Sequence, residues 1–236
     1  MKNQYFGDIN DYRKYGLLRL LTNGGEINSA VCWMLTPDDG RGDGGRIQYL
    51  SQPEQWRHLD SQLFDHLQES VLRRGLRNVS EIENSDLLPS CRFLSDIVPD
   101  DEEGRREYFQ QLMDLAQGCD LVFLDPDNGI EVKSKPCGGK DSSKYLHWKE
   151  IERFWEAGHS LLIYQHFPRV EREPFIEDKA CELAHKTGAP EVTSFRTSHV
   201  VFFLLPRAER LDLFRSRGAQ VERVWGSQFR VAYHGM

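Results

Sequence analysis

Four consecutive residues, Asp125-Pro126-Asp127-Asn128, follow the apolar run Leu121-Val122-Phe123-Leu124 without a gap. A carboxylate fixed by a proline at the end of a buried strand can accept a hydrogen bond from an amine, and the neighbouring carbonyls can accept others. The same residues also make a turn, because Pro, Asn and Gly are common turn formers. A second segment, Asp38-Asp39-Gly40-Arg41-Gly42-Asp43-Gly44-Gly45, carries little side-chain bulk and suits close approach of a ligand to backbone amides. It lacks the GxGxxG spacing, and its carboxylates repel a pyrophosphate, so a dinucleotide site is disfavoured and a surface loop is the alternative. A third, Gly7-Asp8-Ile9-Asn10-Asp11-Tyr12-Arg13-Lys14-Tyr15, sets Asp11 and Lys14 three apart, as neighbours on one helix face. Taken alone, that segment reads as a helix cap followed by a solvated ion pair.

Other chemistries leave weaker traces. The eight histidines show no HxxxH or HxH spacing. His147, beside Trp148, and His166, after an apolar run, are the two placed to matter, and each reads more simply as a packed or surface residue. There is no GxSxG elbow and no P-loop, which removes the motif grounds for a serine hydrolase or a nucleotide hydrolase. Glu131-Val132-Lys133 after Pro126-Asp127 has a superficial likeness to a PD…ExK nuclease core, in which Asp125, Asp127 and Glu131 would hold a divalent metal beside Lys133 or Lys144. The gap between the halves is short for two paired strands.

The elements that must position these residues follow from hydropathy and punctuation. Helices are expected over residues 11–21, around 56–72, from the charged run at 100–107 through Leu115, over 145–157, 172–187 and 207–217. Short apolar runs at 30–35, 92–98, 121–124, 161–164, 200–205 and 228–233 read as strands. Strands alternating with helices of this length make an α/β fold with a mostly parallel sheet, covered on both faces. Ligands of such sheets bind beyond the carboxyl ends of the strands, where the loop at 38–45, Asp96, Asp125 to Asn128, and Gln165-His166-Phe167 all fall. No repeat or linker divides the chain, so one domain spanning 1–236 is expected, with residues 1–25 as a helical extension packed on it.

In order along the chain, these pieces resemble a class I S-adenosylmethionine-dependent methyltransferase, most closely the bacterial ribosomal RNA large-subunit adenine-N6 methyltransferase J family. That family opens on G-N-x-A-D-V-L-K-H ahead of its first strand, and residues 7–15 keep the Gly, Asp and Lys in register. An Asp- and Gly-containing loop follows its first strand, as Asp39-Gly40-Arg41-Gly42 does. Its D-P-P-Y follows an apolar strand, as Asp125-Pro126-Asp127-Asn128 does, with Asp127 and Asn128 standing for the second Pro and the Tyr. The stretch from Glu156-Ala157-Gly158 to Tyr164, Thr197-Ser198-His199-Val200-Val201 through Pro206, and Gly226-Ser227 before a last strand match in layout. The resemblance is distant and spans most of the chain. It implies a Rossmann-like sandwich with an antiparallel C-terminal strand. S-adenosylmethionine would be held by Asp11, Lys14, Asp39, Gly40, Gly42 and Asp96, and transfer at Asp125, Pro126, Asp127 and Asn128 would go to a nucleic-acid base or a related amine. Glu83 is a candidate for the acidic residue that binds the cofactor's ribose.

Composition bounds the rest. In 236 residues, 39% hydrophobic and 28% charged is the balance of a globular chain rather than a disordered one. The net charge of −7 disfavours holding long nucleic acid by bulk electrostatics. Local phosphate contacts to RNA or DNA remain open to Arg73, Arg74 and Arg77, and to Lys133, Lys135, Lys140 and Lys144. The five cysteines are odd in number and scattered, so reduced thiols are expected rather than a disulfide framework. With no apolar run long enough for a bilayer and no signal-peptide core, a cytoplasmic protein without membrane contact is expected. Besides the methyltransferase, the sequence leaves two alternatives: the metal-dependent nuclease or phosphoesterase, and a non-catalytic binding member of the fold.

Overall fold

The computed structural model describes residues 1–38, 40, 42 and 44–235. Helix α1 spans Ile9–Thr22, and β1 spans Ser29–Cys32. Three helices follow before β2 (Cys91–Leu94): α2 Pro53–Trp56, α3 Ser61–Gln68 and α4 Ser80–Glu83. Helix α5 (Glu102–Leu115) leads to β3 (Leu121–Leu124). The short strands β4 (Gly129–Ile130) and β5 (Tyr145–Leu146) precede α6 (Trp148–Glu156) and β6 (Ser160–His166). Helix α7 (Arg172–Thr187), β7 (Glu191–Arg196), β8 (Val200–Leu205), α8 (Leu211–Trp225) and β9 (Arg230–Gly235) complete the order.

Seven strands form one sheet in the order β2-β1-β3-β6-β8-β7-β9, and β4 pairs with β5 in a separate two-stranded sheet. From β2 to β6 every pairing is parallel, with Ser29 opposite Leu121 and Cys32 opposite Leu124, so β1 and β3 end level with each other. From β6 to β9 every pairing is antiparallel, which sets both β8 and β9 against the other five strands. One antiparallel strand was expected, and there are two.

Side chains alternating along each strand feed two cores. Val31, Phe123 and Leu162 pack with α1, α3 and α8 through Tyr12, Leu18, Phe64 and Trp225. Ala30, Cys32, Val122 and Ile163 pack with α5, α6 and α7 through Phe109, Phe154 and Leu183. A sheet buried on both faces accounts for strands that read as continuous apolar runs.

Several boundaries differ from the sequence expectation for local reasons. Strand β1 ends at Cys32 because Met34 turns left-handed, at φ 45°, and only Leu35 bridges on to Ile97. The helix expected from 145 starts at Trp148 because Tyr145 and Leu146 pair with β4, and that expected over 207–217 runs instead over Leu211–Trp225. Strand β7 carries no apolar run, yet it is buried: Thr193 and Ser194 lie inside, and Glu191 pairs with Arg215 at 2.8 Å. Among the described residues, no helix is long and apolar enough to cross a membrane.

Candidate functional site

From β1 the chain runs outward to β2 and then crosses back to β3 on the other side of β1. Ligand sites of open α/β sheets form beyond the carboxyl ends of the strands at such a reversal. A cavity of about 500 Å³ lies there, its floor made by Asp11, Lys14, Asp125, Asp127 and Tyr164.

Helix α1 supplies the cation of this floor. Asp8 caps it, its Oδ1 accepting from Asn10 N at 2.9 Å and its Oδ2 from Arg46 N at 3.0 Å, which ties the helix start to the end of the Gly-rich loop. Two turns in, Lys14 Nζ donates to Asp11 Oδ1 at 2.9 Å and to Asp125 Oδ2 at 2.6 Å. The rings of Trp33 and Tyr164 stand 5.8 Å from the same ammonium. The solvated pair expected of Asp11 and Lys14 is therefore corrected to a buried one, with Lys14 only 4% exposed.

Two carboxylates facing one ammonium leave an excess of negative charge. Burial is the main cause that raises Asp11 to about 6, against the opposing pull of Lys14 and with a further push from Asp125. Burial likewise raises Asp125. Burial alone would lower Lys14, but Asp11 and Asp125 override it and hold the ammonium raised.

Residues 125–128 are held from beneath. Asp125 N donates to Cys32 O at 3.0 Å, which fixes the loop to the end of β1. Gln165 Oε1 accepts from Ile130 N at 2.9 Å, and its Nε2 donates to Asn128 O at 3.1 Å and His166 O at 2.7 Å. Gly129 permits that clamp: it sits at φ +117°, and a Cβ there would lie 2.4 Å from the Gln165 amide. Thr36 Oγ1 donates to Asp127 Oδ2 at 2.6 Å. The Met1 ammonium stands 2.9 Å from Asp127 Oδ1, so that buried oxygen faces a positive charge. Burial acts to raise Asp127, and the Met1 ammonium, Thr36 and Lys2 outweigh it and keep the carboxyl lowered.

Of the residues singled out in the sequence, Asp11, Lys14, Gly42, Asp125, Pro126, Asp127 and Asn128 line this one cavity. Asp39 lies outside the described residues. Gly40 is exposed and is not part of the lining; Asp96 is exposed beyond β2, the edge strand, and is likewise not part of it. The Glu83 carboxylate is taken by the Trp33 indole at 2.6 Å and by the Ser95 hydroxyl. Glu131 turns to His147, and Lys144 to Asp141, so neither joins Asp125 and Asp127. Among the described residues, no three His, Cys, Asp or Glu side chains are grouped to hold a metal ion.

The basic residues picked out for phosphate contact are largely engaged elsewhere. Arg73 pairs with Glu69, Arg74 with Glu81, Lys135 with Asp141, and Arg77 donates to the Phe6 and Gly44 carbonyls. The cavity mouth instead carries Arg46, His166 and His199. Burial first, and then Arg46, lower both imidazoles, which keeps them neutral near pH 7. Met1, Thr36, Tyr164 and Arg46 escaped the sequence reading, since none belongs to a motif. The one available signal was position, because Thr36 and Tyr164 lie at or just beyond the carboxyl end of an apolar run.

In comparisons with known proteins, the chain matches no family model and no curated protein.

Proposed function

We propose that this protein is an S-adenosylmethionine-dependent methyltransferase acting on a nucleic-acid base, of the adenine-N6 kind, or on a related amine. One observation carries the reading. Lys14 of the N-terminal helix and Asp125 at the end of β3, 111 residues apart, meet at 2.6 Å inside a cavity at the strand-order reversal. These are the two segments on which the resemblance rests, and the antiparallel β8 beside β6 fits the sandwich it implies.

The cavity suits the group. Its volume of about 500 Å³ falls within the range of small-molecule sites. Asp8, Asp11, Asp125 and Asp127 against Lys14, the Met1 ammonium and Arg46 leave one carboxylate in excess, which favours a cationic ligand, and a sulfonium cofactor brings a transferable methyl group on a positive sulfur. Asp11, Lys14 and Gly42 are the residues placed to hold it. Lys14 engages Asp125 Oδ2, which fixes the carboxylate and leaves Oδ1 to accept a hydrogen bond from the acceptor nitrogen. As that nitrogen bonds to the methyl carbon it gains positive charge, and a fixed carboxylate stabilises it. The methyl–sulfur bond would break as the nitrogen–carbon bond forms, its electron pair leaving with sulfur in S-adenosylhomocysteine, and the acceptor nitrogen would then give one proton to water at the cavity mouth. Orientation and electrostatics supply most of such catalysis.

Calorimetric titration with S-adenosylmethionine and S-adenosylhomocysteine tests the pocket, and Asp125→Asn tests the role. Saturable binding is expected in both proteins, with methyl transfer to adenine-containing RNA or DNA reduced about 100-fold or more in the variant. Absence of binding by the wild type refutes the reading. Unchanged turnover in Asp125→Asn removes that residue from catalysis.

A further inference from the structure

The cavity is divided by charge. Asp11, Asp125 and Asp127 sit at its floor, while Arg46, His166 and His199 stand at its mouth. Strand β6 sets the spacing: Tyr164 and His166 are two residues apart, so they share one face of the sheet, with His166 about 7 Å further out. His199, in the turn before β8, is brought alongside by its carbonyl, which accepts from Phe167 N at 3.4 Å. Its Nδ1 meets Ser198 Oγ at 2.6 Å, which leaves Nε2 open. The backbone of Arg46 is pinned on both sides, its N–H donating to Asp8 Oδ2 at 3.0 Å and its carbonyl accepting from Ile9 N at 3.1 Å. Two more arginines stand behind these three. Arg13 donates to Gln228 Oε1 at 2.8 Å and to Asn10 Oδ1 at 3.3 Å, and Arg172 lies 5.4 Å from the Phe167 ring centre. Among the described residues, none of the guanidinium groups of Arg13, Arg46 and Arg172 meets a carboxylate. Acids of the adjoining segments are spent: Asp8 on the Asn10 and Arg46 amides, Asp38 on the Gln4 amide at 3.2 Å, and Glu173 on Arg196 and Arg230.

Cations gathered without acids repel one another, and on a chain of net charge −7 the gathering is local. An anion at the mouth offsets that repulsion. The basic residues elsewhere do not extend the patch into a track, since Arg73, Arg74, Lys135 and Lys144 are paired with acids. We propose that Arg46, His166 and His199 form a site for one phosphate group, with Arg13 and Arg172 adding to its field. The methyl acceptor is then a single nucleotide, its amine on Asp125 at the floor and its phosphate at the mouth. The acceptor's role rests on the methyltransferase reading, whereas the phosphate site does not need it. A pH dependence follows. Burial and then Arg46 lower both imidazoles, and Arg13, Arg172 and His166 add to the effect on His199. An anion between the rings favours their protonated forms, so phosphate binding takes up protons and tightens as pH falls.

Adenosine 5′-monophosphate and adenosine, titrated with and without S-adenosylhomocysteine, test the site. The wild-type protein is expected to bind the nucleotide about tenfold or more tightly than the nucleoside, the fold-change of one charge-assisted contact. In Arg46→Gln that preference falls severalfold, and because both ligands meet the same protein, a general loss of stability cancels. The methyl phosphodiester of the same nucleotide keeps a constant charge on its phosphate, so its affinity isolates the two rings. It is expected to rise severalfold from pH 8 to pH 6 in the wild type and to stay level when His166→Gln and His199→Gln are combined. Equal affinity for nucleotide and nucleoside, or binding of neither, overturns the phosphate site. An adenine-containing strand of roughly eight nucleotides that binds more than about tenfold above the mononucleotide, with a steep salt dependence, overturns the restriction to one phosphate. If S-adenosylhomocysteine does not bind while the nucleotide preference holds, the methyltransferase reading fails and the phosphate site stands.

Discussion

Replacing Lys14 by Met keeps the side chain's length and apolar stem while deleting the ammonium that Asp11 and Asp125 share. No cavity opens, so the cost is electrostatic. Removing one partner of a buried ion pair costs about 3–5 kcal/mol, because the remaining charge loses its compensation. Here two carboxylates are left together, and Asp11 already sits at about 6 with the ammonium in place. Its folded value lies above the unfolded one, so the folded state binds the proton more tightly. The resulting stability is present at low pH and is lost as pH rises through the folded value. Without Lys14 both carboxyls rise further, and the deficit against wild type must grow with pH. Urea unfolding at pH 8 is expected to show a loss of about 3–5 kcal/mol, shrinking by roughly 1.4 kcal/mol for each unit by which pH falls below the shifted values. An equal loss at pH 5 and pH 8, or a loss under about 1 kcal/mol at pH 8, refutes the argument that this ammonium compensates the carboxylates.

Gly16→Ala normally gains about 1 kcal/mol inside a helix, but here a Cβ would lie 2.3 Å from the Trp225 ring, so a net loss of about 1–3 kcal/mol is expected in denaturant unfolding. A gain in stability would show that α1 and α8 do not pack as closely as described. Gln165→Ala strips the buried Ile130 N–H of its acceptor and leaves Asn128 O with the His166 N–H alone. Hydrogen exchange should find the Ile130 amide deprotected, at a cost of about 1–3 kcal/mol. Retained protection would mean that another group secures residues 125–130.

How far the sequence could be read depended on whether polarity and burial agreed. Leu121 to Leu124 is apolar and central, and its strand was legible to the residue. Strand β7 was not, because Glu191, Thr193 and Ser194 are polar side chains that gain partners only in three dimensions: Arg215 for Glu191, and His234 for Ser194. Helix α1 shows the same conflict at the site. Tyr12, Tyr15, Leu17, Leu18 and Leu21 spread over more than one face of it, and a helix with so wide an apolar surface is a largely buried one. That pattern is compatible with Asp11 and Lys14 being paired internally, but Asp125, the second carboxylate on Lys14, lies too far along the chain for any spacing rule to reach. Position after a strand did gather Asp125 to Asn128 with Gln165. It offered Asp96 equally, and only the strand order shows that β2 is the edge, one place away from the reversal.

The packing of α1 on α8 also sets an order of events in time. Gly16 lies against Trp225, and Arg13 donates to Gln228 Oε1 at 2.8 Å across 215 positions. At ordinary rates of synthesis those partners emerge roughly 10–40 s after Lys14 does. Until then the helix bearing the site's ammonium leans on α3 alone, through Tyr12 and Phe64, and lacks its α8 wall, while β1 and β3 can already pair. Ligand competence is therefore a late acquisition of the nascent chain, gained when its final quarter closes over its first.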